Sequence, residues 1–227
     1  MDYAQCRLCP RNCGVDRTAG ERGFCGCPGT AMVTKTMVHK WEEPALAGSG
    51  GSGAVFFGGC TLGCSYCQNA AISRTPTGRP VDSQELRRLF EELLAQGAEN
   101  IDLVTPTQFL PTILPALSPK LPVPVVYNCG GYESVQTLKA LEGLVDIYLP
   151  DLKYATPALG RSLSRAADYF PRATEAIREM VRQTGPVKWQ GEKILRGTVI
   201  RHLILPGQVE NSLKVLAWIG ETFRPGE

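Results

Sequence analysis

Eight of the nine cysteines fall within the first 67 residues, in groups spaced by two or three residues. A disulfide framework in a secreted chain is usually even in number and spread along the sequence. Tight clusters instead read as metal or iron–sulfur ligands in a reducing compartment. The tightest group, Cys60-Thr61-Leu62-Gly63-Cys64-Ser65-Tyr66-Cys67, puts three thiols into eight residues. Gly58 and Gly59 before it and Gly63 within it let the loop adopt positive φ and bring backbone N–H groups close to cluster sulfides. Thiolates are the common ligands of such clusters. Three of them on a four-iron cubane leave one iron open to a small chelating molecule, whereas a fully ligated cluster only passes electrons. The residue types alone also allow a zinc loop completed by a cysteine elsewhere.

A second ligand set lies in residues 1–30, which are rich in Cys, Gly, Arg and Pro and lack hydrophobic periodicity. Such a segment needs something other than a core to hold it, and a metal does that. Cys6-x2-Cys9-x3-Cys13 is followed by Cys25 and Cys27, and four of the five suffice for a closed site. Cys6, Cys9, Cys13 and Cys25 are the expected ligands, with Cys27 spare. Structural zinc and an auxiliary iron–sulfur cluster both suit four thiolates. Zinc would be a folding device, whereas a cluster would relay electrons or anchor substrate. Free buried thiols are the plainer alternative.

The rest of the chain reads as α/β. Ala31 to Trp41 is strand-like, and Gly48 to Gly53 is either a flexible join or an ordered turn packed on a neighbour. The predicted segments are therefore a Cys-rich metal-binding unit over 1–47 and a core domain over 48–227. Within the core, strands are expected at 54–59, 101–104, 123–127, 145–149 and 198–205. Helices are expected over 84–96, in a short stretch after Phe109, and over 133–142, 171–184 and 211–223. Asp82 or Ser83 caps the first helix and Gly97 stops it. Five β-α repeats imply a parallel sheet with helices outside it, doubly wound or curled into a barrel, with chemistry at the strand carboxyl ends.

The formal charge of +2 and the scattered Lys and Arg give no basic stripe for nucleic acid. The amino terminus lacks a signal pattern, and no apolar run reaches about 18 residues, so neither secretion nor a membrane partner is expected. A cytoplasmic protein is the expectation.

The spacing C-x3-C-x2-C, with Tyr66 before the last cysteine and an apolar strand in front, resembles the radical S-adenosylmethionine superfamily. The similarity extends along most of the chain. Cys9-Pro10-Arg11-Asn12-Cys13-Gly14-Val15, Trp41-Glu42-Glu43-Pro44, Phe56-Phe57-Gly58-Gly59-Cys60 and Val104-Thr105-Pro106-Thr107 resemble an uncharacterised group related to pyruvate formate-lyase activating enzyme. So do Tyr127 to Glu133, Asp146 to Tyr154 and Ile200 to Gly207.

The resemblance implies a partial (β/α) barrel of the radical S-adenosylmethionine type. Relatives usually have six β/α units, so the barrel here is expected to lack the sixth strand: a shortened relative, an incomplete sequence, or an open edge covered by a partner. It also implies an oxidoreductase of the activating-enzyme kind, in which a 4Fe-4S cluster on Cys60, Cys64 and Cys67 cleaves S-adenosylmethionine for hydrogen abstraction. An electron donor such as flavodoxin or ferredoxin and a protein substrate would then be partners.

Residue by residue, the resemblance places Tyr66 beside the adenine. Thr105 and Thr107 stand where the superfamily usually has Gly-Gly-Glu, and a hydroxyl there would accept from the methionine ammonium. Asn128 replaces an aspartate and pairs with Asp151 at a cation site near the carboxylate, while Lys153 contacts S-adenosylmethionine. Arg201 is a cofactor or substrate candidate. His202, its neighbour in the predicted fifth strand, should point the other way, and Glu42 and Glu43 either border the site or, as the preferred reading, form an exposed acidic pair. The competing function is a non-catalytic iron–sulfur or zinc protein for electron transfer or binding.

Overall fold

The short apolar runs and capped amphipathic stretches do alternate as strands and helices in the computed structural model, which describes residues 2–224 and Gly226. Met1, Pro225 and Glu227, from the ends of the two predicted segments, lie outside the described residues. The first half of the chain runs β1 (Ala31–His39), α1 (Pro44–Ala47), β2 (Ser52–Phe57), α2 (Ala70–Ser73), β3 (Arg79–Val81), α3 (Ser83–Ala95) and β4 (Asn100–Val104). A 3-10 turn at Thr107–Phe109 leads into α4 (Leu110–Ala116), β5 (Val125–Cys129), α5 (Val135–Lys139) and β6 (Ile147–Pro150). The chain then forms α6 (Pro157–Ser164), α7 (Tyr169–Thr184), β7 (Lys188–Gln190), β8 (Lys193–Thr198) and α8 (Val209–Thr222).

All eight strands form one sheet in the order β3-β1-β2-β4-β5-β6-β8-β7. Its centre, β2 to β8, is parallel, as β-α alternation requires. Antiparallel β1 and β3 extend one edge, and β7 covers the opposite edge along β8. The fold is thus α/β with a mostly parallel sheet, consistent with a partial barrel of five parallel strands. β1 joins the sheet of the core, so the predicted boundary at 47/48 does not fall between separate sheets. The glycine stretch there is an ordered turn: Glu99 Oε1 accepts from Gly50 N at 2.6 Å and from Ser49 Oγ at 3.2 Å.

Side-chain alternation along each strand splits the core. Ile101 and Leu103 of β4 and Val125 and Tyr127 of β5 pack with Leu86, Phe90 and Leu93 of α3 in one apolar cluster. Val126, Ile147 and Leu149 point to the other face, where Leu46 of α1 and Ile194 of β8 fill the space. The same period places Asp102, Asn128 and Asp151 on that second face, Asp102 level with Val126 and Ile147, Asn128 level with Leu149, and Asp151 just past the end of β6.

α3 shows how local chemistry sets an element. Asp82 Oδ1 accepts from Glu85 N at 2.8 Å and Glu85 Oε2 accepts from Asp82 N at 3.1 Å, a complete capping box. Asp82→Ala should cost about 1 kcal/mol in urea unfolding; no loss would show that the tertiary contacts of α3 alone hold its first turn.

β8 covers 193–198 and not the predicted 198–205. Beyond Thr198 the chain stays beside β6 and the residues after it through Val199 N to Tyr148 O at 2.8 Å, Arg201 N to Pro150 O at 2.9 Å, Leu152 N to Arg201 O at 2.8 Å and an isolated bridge between Asp151 and Arg201. Leu203 and Ile204 are exposed. No helix among the described residues is long and apolar enough to cross a membrane.

Candidate cofactor site

The strand carboxyl ends open on one cavity of about 580 Å³. Cys60, Cys64, Cys67, Tyr66, Thr105, Asn128, Asp151, Lys153 and Arg201 all line it. Residues separated by up to 141 positions therefore meet where a parallel β/α sheet concentrates its chemistry.

The cysteine loop leaves β2 through Gly59, which has φ +77°. A Cβ at Gly59 would overlap Cys27 Sγ and stand 3.1 Å from Cys25 O, so only glycine fits this bend. Each of the three sulfurs accepts at least one hydrogen bond. Cys60 Sγ takes Leu62 N–H at 3.4 Å, Cys64 Sγ takes the Ser164 hydroxyl at 3.0 Å, and Cys67 Sγ takes the Ser73 hydroxyl at 3.4 Å. Burial pushes the Cys60 thiol up, so cluster loading must release its proton.

Donor type, donor number and hydrogen bonding to sulfur fit an iron–sulfur cluster with one open iron. Among the described residues no group of three or more His, Cys, Asp or Glu is drawn together tightly enough to hold a metal ion directly. A cubane binds each thiolate to a different iron and so does not require that convergence.

Opposite the cysteines runs a charged network. Asp151 Oδ2 accepts from Lys153 Nζ at 2.6 Å and Oδ1 from Arg201 Nε at 3.1 Å. Arg201 Nη2 donates to Asn128 Oδ1 at 2.7 Å, and Asn128 Nδ2 donates to Asp102 Oδ2 at 3.3 Å. Both ends of the Asn128 amide are engaged, and the oxygen expected to face a cation is taken by Arg201. Burial alone would push the Lys153 ammonium down, but Asp151, Cys64 and Tyr66 outweigh it and hold Lys153 above its ordinary value. Burial, followed by Glu42, pushes the Asp102 carboxyl well up.

Glu42 is not an exposed residue: its side chain is 13% accessible and 3.4 Å from Arg201 Nη1. Glu43 stands 3.9 Å from the same nitrogen and lines the cavity. Arg201 and His202 both line the wall, because β8 has ended and strict alternation no longer applies. Nδ1 of His202 bonds Leu152 O at 2.6 Å and Nε2 bonds Ser212 Oγ at 2.8 Å, a structural role tying α8 to the end of β6.

The threonines of the turn after β4 have different surroundings. Thr105 lines the cavity at φ +58°, an uncommon backbone for a β-branched residue. Its N–H donates to Asn128 O at 2.8 Å and its carbonyl accepts from Gln108 Nε2 at 2.8 Å, which holds the strained turn. Thr107 does not line the cavity; it is buried, and its hydroxyl donates to Glu133 Oε1 at 2.9 Å. Tyr127 OH also donates to Glu133, and the ninth cysteine, Cys129, hydrogen-bonds the same carboxyl. Sequence reasoning did not single out Glu133, Asp102, Gln108, Ser73, Ser164 or Tyr154. Only strand position offered a signal for Asp102, and membership of a motif string for Glu133 and Tyr154.

The amino-terminal set is also gathered. Cys6, Cys9, Cys13 and Cys25 line one small cavity of about 20 Å³ with Arg11, Arg17 and Gln108. Cys27 does not line it; its thiol donates to Gly58 O and Cys25 O at 3.5 Å. Arg17 is 2% exposed, and its partners are carbonyls, a sulfur and a ring rather than a carboxylate. The sulfur is Cys6 Sγ, 3.6 Å from Arg17 Nη1.

Comparison with known proteins bears on this arrangement. The family model described as the Radical SAM superfamily matches residues 54–219. An uncharacterised protein of Methanocaldococcus jannaschii is 28% identical over 218 residues, covering 92% of this chain and 59% of that protein. The chain thus spans about three-fifths of the length of the curated relative it matches. Among solved structures, the crystal structure of QueE from Escherichia coli aligns with a TM-score of 0.39 at 12% identity, covering 86% of this chain and 92% of that one.

Proposed function

Because the chain belongs to the radical SAM superfamily, we propose that Cys60, Cys64 and Cys67 hold a 4Fe-4S cluster beside a site for S-adenosylmethionine, and that the chain abstracts hydrogen from a substrate. The supporting observation is the single cavity where three hydrogen-bonded cysteine sulfurs face Tyr66, Thr105, Asn128, Asp151, Lys153 and Arg201. When bound and reduced, the cluster supplies one electron to the sulfonium, giving methionine and a 5′-deoxyadenosyl radical that takes a hydrogen atom from the substrate.

The chain's own residues bind and orient. The Tyr66 ring offers an aromatic face for adenine. Lys153 supplies a point charge for the methionine carboxylate. The Thr105 hydroxyl is an acceptor for the ammonium, its carbonyl being occupied by Gln108. Arg201 acts at one remove, fixing Asp151 and Asn128. By resemblance of the motif strings, the substrate is a glycine in a protein partner, as for a glycyl-radical-enzyme activase, or another hydrogen donor, and the electron comes from a flavodoxin or ferredoxin in the cytoplasm.

The test is the electron paramagnetic resonance spectrum of the reduced, reconstituted protein. Adding S-adenosylmethionine should change the cluster signal, because a ligand joins the open iron. An unchanged signal would contradict binding at this cluster.

A second metal belongs, in the same reading, at Cys6, Cys9, Cys13 and Cys25. A buried guanidinium without a carboxylate needs a countercharge, and thiols that lose protons on metal binding supply one beside Arg17. Structural zinc and an auxiliary iron–sulfur cluster both suit four thiolates, and metal content distinguishes them. Metal lost in Cys9→Ser and Cys13→Ser is expected, and zinc near one equivalent per chain would make the site a structural ion. Extra iron and sulfide lost in those variants instead would make the site a cluster.

A further inference from the structure

Three hydroxyl groups form an unbroken chain to one cysteine sulfur. Tyr66 OH lies 2.8 Å from Tyr154 OH, Tyr154 OH lies 2.7 Å from Ser164 Oγ, and Ser164 Oγ donates to Cys64 Sγ at 3.0 Å. Each hydroxyl has one proton to give. A thiolate that ligates iron only accepts, so Ser164 must spend its proton on Cys64. Tyr154 must then donate to Ser164, and Tyr66 to Tyr154. The direction of all three bonds follows from the end of the chain.

Ser164 is set firmly for this role. It is 1% exposed, at the last position of α6. Arg11 donates from Nη2 to Ser164 O at 2.8 Å, from Nη1 to Arg165 O, and from Nε to Thr61 O in the cysteine loop at 2.9 Å. Ser65 N donates to Leu163 O at 2.8 Å, pinning the loop directly to the same helix end. The Tyr154 ring is fully buried and packs edge-on against Tyr169, with centroids 5.1 Å apart. Donor and acceptor therefore sit on two elements locked together on both sides of the contact.

A hydrogen bond to a cluster sulfur stabilises the reduced state, which carries more negative charge, over the oxidised one. Two tyrosines in series behind the serine polarise its hydroxyl and strengthen the donation. Of the three sulfurs, Cys64 has the shortest such contact and the only one with a relay of hydroxyls behind it.

We propose that Ser164, backed by Tyr154 and Tyr66, is a positioning residue that raises the reduction potential of the cluster through Cys64. The inference rests on the reading that Cys64 ligates the cluster. Ser73, which reaches Cys67 at 3.4 Å from the short helix α2, is a weaker donor and provides an internal comparison.

The experiment is a potentiometric titration of the anaerobically reconstituted full chain, followed by electron paramagnetic resonance, with iron and sulfide content measured on each sample. In Ser164→Ala the cluster should load, and at a fixed solution potential its reduced-to-oxidised ratio should fall about tenfold, about 59 mV for a one-electron couple. Tyr154→Phe should shift it the same way by less, Ser73→Ala should also shift it less, and Ser164→Thr should restore the wild-type ratio.

A loaded Ser164→Ala cluster with an unchanged ratio overturns the inference alone. If Ser164→Ala loads no cluster, Tyr154→Phe decides: a lowered ratio supports the relay, and an unchanged ratio overturns it. A wild-type chain that takes up no iron and sulfide at Cys64 overturns the inference together with the reading beneath it.

Discussion

Cys64→Ala loses the iron and sulfide of the three-cysteine cluster, and 5′-deoxyadenosine formation falls to background, while metal at the amino-terminal set stays bound. The separation is expected because the two thiol sets line different cavities. The fold should survive. Cys64 sits in an apolar cluster with Leu62, Tyr132 and Tyr154, and its loss leaves the Ser164 hydroxyl without its acceptor, a penalty of about 1–3 kcal/mol. Iron and sulfide assays with product chromatography check the cluster and its activity, and zinc content checks the amino-terminal set. Cleavage at the wild-type rate in this variant would refute the ligand assignment.

A pH-dependent term in stability is expected at Glu133. Burial, opposed to a lesser extent by hydrogen bonds from Thr107, Tyr127 and Cys129, pushes its carboxyl up to about 7. Below its ordinary value near 4.5 the group is protonated folded and unfolded, so it contributes no pH dependence. Between about 4.5 and 7 the folded chain holds a proton that the unfolded chain has lost, so stability falls as pH rises through that window. The total is roughly 3 kcal/mol.

Glu133→Gln removes the ionisation, and its amide and the neighbouring hydroxyls can re-form the contacts. Urea unfolding of wild type and variant should give similar stabilities at pH 4.5 and diverge by up to about 3 kcal/mol in favour of the variant at pH 7.5. A difference that does not change with pH would show that folding leaves the Glu133 carboxyl at its ordinary value.

Much of this was legible in the sequence where local chemistry and topology agree. The capped stretch from Asp82 to Gly97 became α3, and the five parallel strands follow from the alternation. Asn128, Asp151 and Lys153, read as strand-end residues, do meet the three cysteines at one cavity.

What was missed lacks a local signal. β7 is three exposed residues, Lys188 to Gln190, with no apolar period; its one cue was the two-residue turn Gly191-Glu192. The predicted strand at 198–205 followed an apolar run, yet Leu203 and Ile204 are 59% and 64% exposed and the strand lies earlier, where Ile194 turns inward. α6 carries Gly160 in its middle and Pro157 at its start, so its pattern is faint. Ser164 became visible only once α6 was placed against the cysteine loop. Thr107 shares a turn with Thr105 but faces Glu133, a distinction set by the 3-10 turn after β4 and not by spacing.

The cluster assignment and the chemistry proposed from it meet in one assay. The anaerobically reconstituted chain, its cluster verified by iron and sulfide content, is reduced with dithionite in the presence of S-adenosylmethionine. The account predicts 5′-deoxyadenosine and methionine in equal amounts. An intact, reduced cluster that forms neither would contradict it and leave a non-catalytic iron–sulfur protein.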